Sequence, residues 1–134
     1  MTTREDIESY LIRMGVDAEE VADGMWVVHA MGGADVVIHH SPPVVVLRLK
    51  VMQLPRNADD GRLGPFYRRL LELNASDIVH GSYGIEEDEV ILSDTLDLTD
   101  LDFSELRGSY ESLLLAASSH TAGLAELAPA GNEG

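Results

Sequence analysis

The sequence predicts an α+β fold, an antiparallel β-sheet with three flanking helices, and three observations predict it. Apolar residues recur every three or four positions in three separate segments. Between these segments lie short runs rich in Val, Ile and Leu, several of which alternate apolar with polar. The runs follow one another in hairpin-like succession, bounded by Gly, Pro or acidic turns, instead of falling singly between helices. Consecutive hairpins build antiparallel sheets, whereas single strands alternating with helices build the doubly wound nucleotide-binding folds. The predicted order is α-β-β-β-α-β-β-α.

The first helix is expected over residues 3–14. Thr2 or Thr3, followed three residues on by Glu5 or Asp6, makes a capping box, and Ile7, Tyr10, Leu11 and Met14 fall on one face. Gly15 supplies the stop, because glycine adopts the left-handed cap without steric cost. Val16–Asp23 reads as an acidic connection with at most one helical turn. Met25–Met31, which holds the only tryptophan, Trp26, is the first strand, and Gly32-Gly33 provides positive φ for a tight hairpin. Asp35–His40 returns, Ser41-Pro42-Pro43 ends it, and Val44–Met52 is the third strand. In that strand Val45, Leu47, Leu49 and Val51 share a face, while Arg48 and Lys50 point away.

Pro55–Gly61 reads as a polar loop. Leu63, Phe66, Tyr67, Leu70 and Leu71 then mark the second helix, with Pro65 tolerable in its first turn and Asn74 at its end. Ile78–Ile85 and Glu89–Leu98 form a second hairpin around Glu86-Glu87-Asp88. Thr99 or Asp102 caps the third helix, in which Phe103, Leu106, Tyr110, Leu113, Leu114, Ala117 and Thr121 recur at helical spacing. One domain over residues 1–121 is expected, with a flexible tail over 122–134.

Composition narrows the function classes. A chain of 134 residues is the length of one domain. It has no cysteine, which removes disulfides, thiolate metal ligands and cysteine nucleophiles. Acidic residues where a secretory signal needs a positive flank, and apolar runs far shorter than a membrane span, predict a cytoplasmic protein. The formal net charge of −15 repels phosphate backbones and anionic membranes, so nucleic acid and membrane are not expected partners. That charge is segmental: residues 42–76 carry six basic residues against three acids, whereas 77–111 carry eleven acids against Arg107 alone. Pairing within the fold explains this pattern more simply than complementary self-association.

The order of elements, with several local strings, resembles the YbjN family and the related type III secretion chaperone-like (Tir chaperone, CesT-like) fold. The strings are Asp23-Gly24-Met25-Trp26-Val27-Val28, Leu70-Leu71-Glu72-Leu73-Asn74 and His80-Gly81-Ser82-Tyr83-Gly84-Ile85, with Leu98-Thr99-Asp100-Leu101 leading into the last helix. The resemblance covers residues 3–121. It implies a compact domain that usually forms a homodimer and has no known catalytic residues. Secretion chaperones of this fold hold an extended segment of a partner along apolar grooves, and YbjN-type proteins are described as regulators.

Candidate chemistry is sparse beside this. His29 and His39 are expected to face each other across the first hairpin with His80 on a nearby strand, which is the basis of an alternative reading as a metal- or ligand-dependent enzyme. No His-x-x-x-His or His-Glu-x-x-His spacing occurs, however, and His39 and His40 point to opposite faces of a regular strand. Glu86-Glu87-Asp88-Glu89 lacks the alternation and glycine of a calcium loop. Gly81-Ser82-Tyr83-Gly84 is not a nucleophile elbow, and Gly32-Gly33 lacks the lysine of a phosphate loop. No catalytic residue, metal or cofactor is therefore assigned.

The protein-binding reading rests on two-faced strands. Val44 and Val46 share a face with Arg48 and Lys50, and Trp26 and Val28 lie opposite Met25, Val27 and His29. A domain this small rarely buries two sheet faces alone, so a second subunit or a bound segment is expected to cover one. A helix on each side of the sheet would do the same. Trp26, Val28, Val44, Val46, Arg48 and Lys50 are the expected partner-binding residues of a non-enzymatic, chaperone-like or regulatory homodimer.

Overall fold

The computed structural model describes residues 1–54 and 60–128. Helix α1 spans Arg4–Met14, and its start and stop follow from local chemistry. The Thr3 hydroxyl accepts from the Asp6 amide, the Asp6 carboxylate accepts from the Thr3 amide, and Gly15 closes the helix at φ 70°. Strands β1 (Asp17–Ala22), β2 (Met25–His29), β3 (Asp35–Ser41) and β4 (Val44–Gln53) follow as a meander. Helix α2 (Asp60–Ser76), strands β5 (Ser82–Glu86) and β6 (Glu89–Asp97) and helix α3 (Phe103–Leu127) complete the described chain. All pairings are antiparallel, in the order β1-β2-β3-β4-β6-β5.

The α+β class and the three helices agree with the sequence. The residues read as an acidic connection differ: Asp17–Ala22 is a strand paired with β2. As an edge strand with almost every residue exposed, it carries no burial alternation for a sequence pattern to reveal. The first hairpin turn is longer than predicted, with β2 ending at His29, β3 beginning at Asp35 and a 3₁₀ turn over Met31–Gly33 between them. In that turn Gly32 and Gly33 both take φ 82°, as the predicted turn requires. A bulge between Lys50 and Met52 shifts the β4 register, so that Met52 pairs with Val90 and both Val51 and Met52 pack against the core.

Two boundaries also move. Helix α2 starts at Asp60, which places Pro65 in its second turn, and it runs past Asn74 to Ser76. The predicted Pro55–Gly61 loop lies largely outside the described residues. Helix α3 is capped by Asp102, with Glu105 completing the capping box, and it continues past Thr121 to Leu127 with Leu124 buried. A tail beginning at residue 122 is therefore incorrect, because Leu124 extends the apolar face by one more turn. Residues 129–134 lie outside the described part.

The helices form one layer. Helix α3 touches α1 and α2 as well as β4 and β6, so all three helices lie on the same side of the sheet. Beneath them Trp26, Val28, Val36, Ile38, Val45, Leu47, Leu49, Val90 and Leu92 are buried against Ile7, Leu11, Phe66, Leu106 and Leu113. Polar links set the register of this layer. Buried Ser109 on α3 donates to Asp94 on β6 at 2.7 Å, and Thr2 donates through its hydroxyl to the Leu101 carbonyl at 2.7 Å. Each satisfies a polar group that would cost free energy if buried alone.

Gly81 marks where the α2–β5 connection meets the sheet. It sits at φ 82°, and a Cβ there would lie 2.3 Å from the Ser93 carbonyl oxygen. Both the conformation and the contact demand glycine. Gly81→Ala is expected to destabilise the domain by about 2–4 kcal/mol, read as a lowered midpoint in urea unfolding; an unchanged midpoint would contradict this placement.

Candidate functional site: the open face of the sheet

With every helix on one side, strict alternation commits the other residues of each strand to the opposite face. Met25 and Val27 of β2, Val37 and His39 of β3 and Val44 and Val46 of β4 form that face, and all are half-buried. The register makes them one stripe, because Val27 pairs with Val37, Met25 with His39, and His39 with Val46. No other described element of this chain covers them.

Ionic pairs bound the stripe. Arg48 bonds Glu86, and Lys50 Nζ lies 3.3 Å from Glu89, so both cations of β4 are engaged by the β5–β6 hairpin. The internal pairing expected for the basic middle of the chain occurs here. On the other flank His29 donates to Asp35 at 2.9 Å, and its second ring nitrogen is 3.7 Å from Glu19. The Asp35 hydrogen bond holds the imidazole above its ordinary value, opposed by desolvation and reinforced by the charge of Asp17.

The six expected binding residues do not lie together. Val44, Val46, Arg48 and Lys50 are on the open face. Trp26 and Val28 are on the opposite side, 3% and 0% exposed, where Leu11 of α1 helps close over them and the Arg4 guanidinium lies 5.6 Å from the Trp26 ring. Placing these two at a partner surface is therefore corrected, because α1 covers that side of β2. Their neighbours Met25 and Val27, together with Val37 and Ile91, take the open positions. Alternation along β2 separated the two sets, but nothing in an apolar-on-both-sides strand told which set α1 would bury.

The histidines do not converge. His29 pairs with Asp35 and His39 with Met25, so the two stand at opposite ends of β2–β3, about 13 Å apart along the strand. They do not face each other across the hairpin as expected. His80 is exposed in the α2–β5 connection, not on a strand. Among the described residues no group of three or more His, Asp or Glu is placed to hold a metal. The remaining relay runs from the Tyr83 hydroxyl to His120 Nδ1 at 2.9 Å and from His120 Nε2 to Asp77 at 3.5 Å. Burial pushes the Tyr83 phenol up to about 12, so it stays protonated and ties α3 to β5.

Two further surfaces adjoin the open face. At the His29 end of the sheet a groove of about 980 Å³ opens between α3 and the β2–β3 turn, floored by Leu49, Val51 and Tyr110, with His29 and Lys50 at its rim. At the far edge Tyr67 and Leu71 of α2 line a shallow cleft with Ile85 of β5, and Leu71 is 68% exposed. The Asn74 amide accepts from the Tyr83 amide at 2.7 Å and donates to its carbonyl at 3.2 Å, which blunts this edge against strand addition.

One helix layer on a six-stranded antiparallel sheet, with the other sheet face bare, is the architecture of type III secretion chaperone-like proteins. The family model CesT_Tir_1 matches residues 1–130, and the chain belongs to that family. No curated protein matches the sequence. Among solved structures, a protein from Methanothermobacter thermautotrophicus aligns with a TM-score of 0.71 at 13% identity, over 94% of this chain and 99% of that one. YbjN from E. coli, described as a putative transcription regulator, aligns at 0.67 and 13%, over 90% and 92%. A chain of the heterodimeric ExoU–SpcU complex from the type III secretion system of Pseudomonas aeruginosa aligns at 0.65 and 14%, over 91% and 97%. At such identities the likeness is one of fold. It agrees with the resemblance noted in the sequence.

The His29 cluster carries a pH signature. His29 is raised in the folded state, so its stabilising contribution is fully present below the unfolded value near 6.5. It disappears as pH rises through the folded value. His29→Gln is therefore expected to lower Tm relative to wild type at about pH 5.5 and to match it at about pH 9; the opposite trend would contradict the assigned pairing.

Proposed function

We propose that the protein is a non-enzymatic, chaperone-like or regulatory binding module that holds an extended segment of a partner protein on the open sheet face. The observation that carries this reading is the stripe Met25, Val27, Val37, Val44 and Val46, half-buried on three adjacent strands with no described element of this chain above it. Membership of the family and the chaperone complexes among the structural neighbours support it. Covering the remaining exposed area of each valine contributes about 1 kcal/mol, while an exposed ion pair contributes roughly 0.2–1 kcal/mol. Affinity would therefore come from the stripe and discrimination from its rim. The groove beside α3 begins where the open face ends at His29 and Lys50, so a longer segment can turn the sheet end and continue into it. A cytoplasmic location accords with this role.

We further propose a homodimer built on the α2–β5 side, where exposed Leu71 and Ile85 flank Tyr67. That patch lies away from the stripe, so dimerisation leaves the binding face free.

Two substitutions separate these surfaces. Val46→Asp puts a charge at the centre of the stripe and is expected to weaken capture of an identified partner at least about tenfold with the fold intact by circular dichroism. Retained affinity would refute the open face as the site. Light scattering is expected to return twice the 14.6 kDa chain mass for wild type and one chain mass for Leu71→Asp. A wild-type monomer would refute the dimer.

A further inference from the structure

We infer that the open face selects a partner segment that is apolar along the stripe and basic at its β1 end. This rests on the proposal that the face binds a protein segment, and it adds the sign of the segment's charge. The open positions of the six strands carry the carboxylates of Asp17, Glu19, Asp35, Glu86, Glu89 and Asp97. Against them stand Arg48, Lys50 and His29. Every one of these cations is already engaged, Arg48 by Glu86, Lys50 by Glu89 and His29 by Asp35. The charge left to meet an incoming segment is negative.

Its position is set by the register. Glu19 of β1 stands beside Val27, and Asp17 stands beside His29, so the surplus lies at the β1 end of the stripe. Both are exposed, and among the described residues the one cation within reach of Glu19, His29, is shared with Asp35. Beyond the other end, Ser93 and Thr95 of β6 face the same side and are neutral, and the Asp97 carboxylate beside Val44 accepts from the Thr99 amide, so it is already engaged. Strands are about 4.8 Å apart, so roughly four residues of extended chain cross β2, β3 and β4 before reaching β1. A lysine or arginine at that point meets Glu19 and Asp17.

The same sign argues against a second copy as occupant. Stacking two such faces would bring one carboxylate surplus against another in a chain of net charge −15. Nucleic acid is disfavoured by the same repulsion. A basic, apolar protein segment is the complementary class.

The test uses the full-length protein and three fluorescein-labelled peptides of about eight residues, read by fluorescence anisotropy. All share an alternating Val/Thr core and end in paired lysine, serine or glutamate. The lysine peptide is expected to bind about tenfold more tightly than the glutamate peptide, with serine between, and the difference should shrink from about 50 to 500 mM salt. Asp17→Asn combined with Glu19→Gln, both exposed and remote from the core, should reduce the lysine preference to within about twofold. Equal binding of all three peptides, abolished by Val46→Asp, would overturn the charge inference while leaving the face as the site. Binding by none of them, or binding untouched by Val46→Asp, would overturn both.

Discussion

The period of two along β4 is the constraint from which the rest of the molecule follows. Val45, Leu47 and Leu49 point beneath α3, and this forces Val44, Val46, Arg48 and Lys50 to the other side. β4 lies between β3 and β6, so its register is transmitted in both directions. Val37, His39 and Ser93 inherit the open side from it, while Val36, Ile38 and Leu92 inherit the buried side. The bulge at Lys50–Met52 comes after this central stretch and leaves its polarity intact.

A single helix layer completes the asymmetry. Helix α3 is tied to β6 by Ser109–Asp94, to β5 by His120–Tyr83, and to α1 by the edge-on contact of Tyr10 with Phe103. Asn74 fastens the end of α2 to the backbone of β5. These links use up the buried polar groups, since no buried side-chain nitrogen or oxygen among the described residues is left without a partner. The buried polar groups of the helical side are thereby satisfied, while no described element of this chain covers the other face of the sheet.

The elements most legible in the sequence were those whose pattern has a strong local cause. The Thr3–Asp6 box, the Gly15 stop, the paired glycines at 32–33 and the Asp102 cap act within a few residues, and each occurs where the sequence indicates. β1 was not legible, because an exposed edge strand of acids has no apolar period and exists only through its pairing with β2. Of the open face, the placement of Val44, Val46, Arg48 and Lys50 was legible from alternation along β4. Trp26 and Val28 were misplaced because β2 is apolar on both sides, and apolarity alone does not say which side a helix will choose.

By itself, then, the sequence determined the class of fold, the helix caps, the hairpin turn and the alternation of β4, all of which depend on residues near one another in the chain. Tertiary structure decided the questions that depend on distant residues. It put all three helices on one side, chose Trp26 over Val27 for burial beneath α1, and separated His29 from His39 by register. It also engaged Arg48 and Lys50 with carboxylates that lie far along the chain, Glu86 and Glu89. The physical reason is that sidedness and charge pairing belong to surfaces, and a surface exists only once the strands have been brought together.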